Sequence, residues 1–255
     1  WTDDKEGTPI SLVPLWDEQQ EARYVNDEIS NIYREGTPYN EMAILVRASF
    51  QTRAFEEQFI NSATPYKVIG GMRFYERMEI RDVIAYMRLI AQHHDGLAFE
   101  RVVNSPKRGI GPTTLQKIRS CATLHNISYF SATRLMLEQN EFSTKIADTL
   151  NNFLKQIASW TNLLTDMTPT ELCETVMEES GYLQMWKNEN TLESQGRIEN
   201  ISELIRALGD FDNIYQFLEH ISLVMDTDKA DQHDVVNIMT LHAAKGLEFD
   251  AVFLP

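Results

Sequence analysis

Apolar residues recur every three to four positions along most of this chain, and at a few places that period gives way to short unbroken apolar runs. The opening residues 10–15 read as a short strand. Residues 17–34 read as a helix in which Ala22, Val25, Ile29 and Ile32 share one face, with Gly36 ending it. The run at 42–46, Met-Ala-Ile-Leu-Val, suits a strand buried on both faces of a parallel sheet. Ser49 is positioned as the N-cap of a helix passing through Phe55 and Phe59. A second strand at 66–69 runs into Gly70 and Gly71. A helix of about fifteen residues follows, with Ile80, Val83, Ile84, Met87 and Leu89 or Ile90 facing inward.

At His93-His94-Asp95-Gly96 the alternation of strand and helix stops. From there to about residue 229 the pattern is helical, with almost no strand signal. Thr168-Pro169-Thr170-Glu171 is a capping box with proline at the first helical position, and its helix ends before Gly181. Residues 197–208 and 214–225 predict two further helices, and the polar stretch 226–234 a linker. Strand character returns at 235–239 and 251–254. The expected architecture is an α/β domain with a parallel sheet, interrupted by an all-helical block. Its expected segments are 1–91, an insertion at 92–232, and a return at 233–255.

Composition narrows the class. The 255 residues are 43% hydrophobic and 24% charged, the profile of a soluble globular protein. No apolar run approaches the roughly 20 residues of a membrane span, so no membrane association is expected. The first ten residues have no basic stretch leading into an apolar one, as a signal peptide would. The two cysteines, Cys121 and Cys173, lack C-x-x-C spacing, which argues against a zinc site or a disulfide framework and fits a reducing cytoplasm. The net charge of −15 repels phosphate, but the charge is unevenly spread. Between Arg101 and Arg119 there are five basic residues (Arg101, Lys107, Arg108, Lys117, Arg119) and no acidic one. A basic island on an acidic body could hold a nucleic acid at one place.

Two stretches offer chemistry. At 237–249 a buried strand delivers a polar loop with Thr240, His242, Lys245, Gly246 and Glu248. Loops at the carboxyl ends of parallel strands are where α/β sheets bind ligands. Thr240 and His242 can hydrogen-bond phosphate oxygens, Gly246 allows close backbone approach, and Glu248 can accept from a sugar hydroxyl. By residue type alone, such a loop is more often only a solvated strand-to-helix turn. The second stretch, 104–118, has Gly109-Ile110-Gly111 ahead of an amphipathic helix carrying Leu115 and Ile118, the form of a helix-hairpin-helix. Such a turn exposes backbone N–H groups at the positive end of a helix dipole, where phosphate binds without any base being read. Lys107, Arg108 and Lys117 add charge there, and Thr113 or Thr114 can donate a hydroxyl. A lone G-x-G more often marks only a tight turn. His93-His94-Asp95 has no further ligand at useful spacing and reads as an exposed linker, not a metal site. Met72, Met78 and Met87 read as core filler, and Glu178-Glu179 as a solvated helix face. Arg73, Arg77 and Glu79 read as ion-pairing residues that hold the corner after Gly71.

Three strings carry a resemblance. Residues 240–249, TLHAAKGLEF, look like motif V of superfamily 1 helicases. Residues 43–47 followed by Gln51-Thr52-Arg53 resemble that family's ILxR…QSR segment. Residues 66–89 resemble its YxxxGGxxFFxRxEIKDxxxYLRL block. The order and extent of these matches identify the chain as similar to UvrD/PcrA/Rep-type DNA helicases, closest to UvrD and PcrA. The resemblance implies that the α/β part is a RecA-like second motor domain, and that the helical block is an inserted, duplex-binding subdomain. It implies that Arg47, Thr240 and His242 lie along single-stranded DNA, and that Gly246 and Glu248 lie at the ATP ribose. It further implies that Lys107, Arg108, Gly109, Ile110, Gly111, Thr113, Thr114 and Lys117 grip duplex DNA ahead of the fork.

The dipeptide Gly-Lys never occurs, so the chain has no G-x-x-x-x-G-K-[ST] loop, and no acidic Walker B strand is evident. Hydrolysis in such motors needs a P-loop, Mg²⁺ and facing arginines together. The expectation is therefore a portion of a longer ATP- and Mg²⁺-dependent 3′-to-5′ DNA helicase of repair or replication, inactive alone. Its partners would be DNA, as single strand and duplex junction, and the first RecA-like domain of the same protein. The alternatives are a non-enzymatic DNA-binding or regulatory module, or the helicase part of an AddA/RecB-type helicase–nuclease.

Overall fold

The computed structural model describes residues 9–226 and 234–255. The described residues within Trp1–Arg47, Gln51–Ile69 and Gln232–Pro255 form one compact unit. Those within Ala48–Phe50 and Gly70–Asp231 form a second.

The first unit is built on a four-stranded, wholly parallel sheet in the order β2-β3-β1-β4. Its strands are β1 (Met42–Val46), β2 (Tyr66–Ile69), β3 (Val236–Thr240) and β4 (Ala251–Phe253). The chain thus leaves the sheet after β2 and returns in β3, which lies between β2 and β1. Side chains alternate across a strand, so Met42, Ile44 and Val46 share a face with Val236 and Ile238. That face is covered by α1 (Glu18–Arg34) through Ala22, Val25 and Ile29, and by α2 (Thr52–Ser62) through Ala54, Phe55 and Phe59. The predicted face of α1 is the buried one, and Asp17 caps it by accepting the Gln20 amide at 2.7 Å. Arg53, nearly inaccessible to solvent, ion-pairs with Glu18 and with Glu57 and so ties α2 to the start of α1.

Two local expectations fail in and beside this unit. Residues 10–15 form no strand, and Ile10 and Leu12 are 99% and 93% exposed. Alternation alone cannot make a strand. Its N–H and C=O groups need a neighbouring ladder, and none among the described residues pairs with them. Ser49 does not cap α2 but opens a short 3₁₀ turn, Ser49–Gln51. Gln51, itself in a helical conformation, occupies the cap position.

The second unit contains α3 (Met78–Ala91), α4 (Gly96–Val102), α5 (Pro112–His125), α6 (Tyr129–Glu138), α7 (Thr144–Asn162), α8 (Pro169–Glu179), α9 (Tyr182–Glu189), α10 (Leu192–Ala207) and α11 (Ile214–Asp226). Its central element is α3, which packs against α4, α7, α8, α10 and α11. That is why Ile80, Val83, Ile84, Ala85, Tyr86, Met87, Leu89 and Ile90 are all buried, on more sides than one amphipathic stripe provides. By packing, α3 belongs with the helices that follow it. The boundary between compact units falls after Ile69, whereas the change of sequence period falls at 91–96.

The capping box of α8 is present, with the Thr168 amide donating to Glu171 Oε2 at 2.9 Å and the Glu171 amide to Thr168 Oγ1 at 3.3 Å. A second box, Thr191 with Ser194, starts α10 earlier than residue 197. The polar stretch 226–234 lies largely outside the described residues.

Three side-chain expectations change. Met87 is core, but Met72 and Met78 are exposed. His93 is half-buried, stacked on Phe130 and hydrogen-bonded through Nε2 to Thr161 Oγ1 at 2.8 Å, while Asp95 caps α4. Glu179 is exposed at the end of α8, yet its carboxylate accepts the buried Trp160 indole N–H at 2.6 Å.

The corner after Gly71 is held largely by polar contacts around Asn200. The guanidinium of Arg77 donates to Asn200 Oδ1 and to the Ser49 carbonyl, both at 2.9 Å. Asn200 Nδ2 in turn donates to Glu79 Oε1 at 2.6 Å. Arg73 pairs with Glu76, and Arg197 with Glu79.

Candidate nucleic-acid interface

Parallel pairing places the ends of β1 and β3 side by side, with Val46 opposite Thr240. The chain leaves β1 through Arg47 and leaves β3 through Leu241 and His242, so these residues emerge together at the carboxyl edge of the sheet. The Leu241 amide donates back to the Val46 carbonyl at 2.9 Å, and the Arg47 amide to Gln51 Oε1 at 3.0 Å, fixing both exits. Upstream, Asn237 is buried within β3, and its Nδ2 donates to the carbonyls of Asn40 and Met42. The base of this loop is therefore rigid.

Beyond it, the Thr240 carbonyl accepts from Ala243 and Ala244, and its hydroxyl accepts from Ala243 at 3.3 Å. That hydroxyl keeps its own proton to donate elsewhere. Arg47, His242, Lys245, Gly246 and Glu248 are exposed, and Thr240 is half-buried. The side chains of Arg47, His242 and Glu248 make no hydrogen bond or ion pair among the described residues. Gly246 has φ +85°, with open space where a Cβ would stand. At this one position glycine is required by the backbone, and a ligand can approach the main chain closely.

The glycine turn of the second unit lies between α4 and α5 and is built differently. Gly109 takes φ +80°, whereas Gly111, the N-cap of α5, has φ −89°. Asn104 Oδ1 accepts two amides of the turn, from Arg108 at 2.7 Å and from Ile110 at 3.2 Å. Ile110 is buried and anchors the turn in the core. The Arg108 guanidinium also points inward. It donates to the carbonyls of Val102, Val103, Pro106 and Ser180 and to Tyr86 Oη, and it stacks over Phe153. Tyr86 Oη donates in turn to the Ser105 carbonyl. Burial raises the Tyr86 pKa, with Arg108 opposing the shift, so the phenol keeps its proton.

Below this lies Asp82, which accepts from Tyr182 Oη at 2.7 Å and ion-pairs with Arg101 at 2.6 Å. Burial first, and Asp82 second, push the Tyr182 pKa up. Of the five cations of the basic island, Arg101 pairs with Asp82, Arg119 with Glu100, and Arg108 is enclosed. Lys107 and Lys117 are exposed and unpaired among the described residues, as are the neighbouring Thr113 and, in part, Thr114. The amides of Gly109, Gly111 and Thr113 likewise make no hydrogen bond there. The sequence pattern missed Asn104, although an Asn a few residues ahead of a glycine turn is a recognised way of bonding backbone amides locally.

The two sites sit on a parallel sheet and on a helical unit that interrupts it in sequence, and comparison with known proteins gives that arrangement a family. The chain belongs to the family of UvrD-like helicase C-terminal domains, which it matches over residues 1–255. Among individual relatives, it is 49% identical over 259 residues to the probable DNA helicase II homolog of Rickettsia conorii, covering all of this chain and 40% of that protein. It is 50% identical over 258 residues to DNA helicase II of Rickettsia typhi, covering 100% and 39%. To the ATP-dependent DNA helicase PcrA of Staphylococcus aureus it is 38% identical over 265 residues, covering 100% and 36%. The chain spans about two fifths of the length of these relatives. No described helix is long and apolar enough to cross a membrane.

Proposed function

We propose that this chain is the second, RecA-like motor domain, with its inserted duplex-binding subdomain, of an ATP-dependent 3′-to-5′ DNA helicase acting in cytoplasmic DNA repair or replication. The observation that carries the reading is the carboxyl edge of the sheet, where Arg47 and the loop 240–249 emerge together, with the exposed side chains of Arg47, His242 and Glu248 unpaired among the described residues. Arg47, Thr240 and His242 hold the single-stranded backbone there. Gly246 and Glu248 fit one edge of a nucleotide: the open backbone at Gly246 admits close approach, and the Glu248 carboxylate can accept from a ribose hydroxyl. When bound, ATP with Mg²⁺ would supply the phosphoryl-transfer chemistry that drives cycles of closure between this domain and the first RecA-like domain. This chain contributes the ribose contact and DNA contacts, and alone it hydrolyses nothing.

In the helical unit the turn 109–111 acts as one half of a helix-hairpin-helix, with Lys107, Lys117, Thr113, Thr114 and the free amides taking duplex phosphates. Neither the buried side chain of Ile110 nor the enclosed Arg108 touches DNA.

The test is unwinding by the full-length gene product. A duplex with a 3′ single-stranded tail should be opened with ATP and Mg²⁺, and Glu248→Ala should raise the ATP concentration needed. No unwinding from a 3′ tail, or phosphate release above blank by the 255-residue chain alone, would contradict the proposal.

A further inference from the structure

The glycine turn is held from within by three residues, Asn104, Arg108 and Tyr86, whose side chains engage internal partners. Asn104 Oδ1 takes the amides of Arg108 and Ile110, which are alternate donors of the turn. The amides of Gly109 and Gly111, and beyond Pro112 that of Thr113, have no acceptor among the described residues. Arg108 then fastens the turn to α3 through Tyr86 and to the end of α8 through the Ser180 carbonyl, with Phe153 against its guanidinium. Tyr86 closes the loop by donating to the Ser105 carbonyl, one residue from Asn104. An arginine that makes this many internal hydrogen bonds cannot also fork onto a phosphate without breaking them.

We propose that Asn104, Arg108 and Tyr86 are positioning residues. They fix which backbone amides the turn presents, so that duplex phosphates are met by preset donors, with Lys107 and Lys117 as the cations. This deepens the duplex-binding reading of the same turn and rests on it. Donors held in place before binding need not be ordered during it, and that saving appears as affinity. It does not appear as charge. The salt dependence of binding counts the phosphates neutralised, by about −0.9 in log–log slope for each on duplex DNA. A residue that only positions the turn must therefore change the affinity and leave the slope alone, while a phosphate ligand must change both.

The experiment is fluorescence anisotropy of a hairpin duplex with the 255-residue chain across a salt series, with circular dichroism on every variant. Asn104→Ala and Tyr86→Phe should each weaken binding about tenfold or somewhat less at fixed salt, with the slope unchanged. Lys107→Ala and Lys117→Ala should weaken it and reduce the slope by about 0.9 each. Tyr86→Phe removes one hydroxyl from a side chain remote from the turn's surface and keeps the ring, so it provides a folded variant even if Asn104→Ala unfolds. Folded Asn104→Ala and Tyr86→Phe chains that bind like the parent, beside weakened lysine variants, would overturn the positioning role and leave the duplex reading standing. An Arg108→Gln variant that loses about 0.9 of slope would make Arg108 a phosphate ligand and overturn the proposal in another way. Lysine variants that bind duplex as the parent does would remove the duplex reading itself, and the proposal with it.

Discussion

Arg47 and Arg108 both stand beside a loop with the composition of a phosphate site, yet their surroundings are opposite. Arg47 leaves the end of a parallel strand into solvent, and its guanidinium has no partner among the described residues. Arg108 is enclosed by four backbone carbonyls, a tyrosine hydroxyl and a phenylalanine ring. The strand-end loop obtains its rigidity from below, through the sheet ladder and Asn237, so its side chains stay available. The glycine turn has no sheet beneath it and is stiffened by its own polar residues, which are thereby removed from ligand contact. A basic residue in a basic stretch is thus a candidate ligand only after its internal partners have been counted.

The largest effect expected from this contrast is on stability. Arg108→Ala should destabilise the chain by about 3 kcal/mol in urea unfolding, because several buried carbonyls and Tyr86 lose their donor. Arg47→Ala should change it by no more than about 0.5 kcal/mol, as for an unpartnered surface residue. Equal losses would erase the distinction.

A smaller effect separates the two glycines of the turn. Gly109→Ala should cost about 1 kcal/mol, because φ +80° is unfavourable for a side chain. Gly111→Ala should be near neutral for folding, since φ −89° suits any residue and open space surrounds the position. Comparable thermal shifts for the two would contradict this.

The smallest effect concerns His93. Burial, and after it Arg134, hold its pKa below the ordinary histidine value. The unfolded chain therefore takes up this proton first as the pH falls. The stability due to neutral His93 is complete above about pH 6.5 and is lost as the pH drops through the lowered folded value. His93→Gln should flatten the fall in urea midpoint over that window. An unchanged pH profile would show that the imidazole titrates alike in both states.

Elements determined by neighbours in sequence are legible from the chain's own pattern. The face of α1, the strands β1 and β2, and the Thr168–Glu171 box all follow from residues within one or two turns of each other. What fails depends on distant partners. Residues 10–15 are apolar enough for a strand but have no ladder among the described residues. The pattern of α3 does not reveal that its partners are the helices after it. His93 reads as linker because Phe130 and Thr161, which hold it, are remote in sequence. At the candidate sites the loop 240–249 is legible as a string and occupies the strand end expected of it. The glycine turn proposed for the duplex is legible as a turn, but the inward directions of Arg108 and Ile110 are not, since a basic and an apolar side chain look alike in sequence whether they face solvent or the core.

The most direct test of the central claim, that two separate regions of this chain meet two forms of DNA, is a crossed anisotropy titration. Arg47→Ala and the Lys107→Ala/Lys117→Ala double variant are each measured on a single-stranded probe and on a blunt hairpin duplex across salt. The account predicts that Arg47→Ala weakens the single strand, with a slope loss of about 0.7, and spares the duplex. The double variant should weaken the duplex and spare the single strand. Variants that weaken both probes alike would contradict it, because they would place both DNA forms on one shared surface.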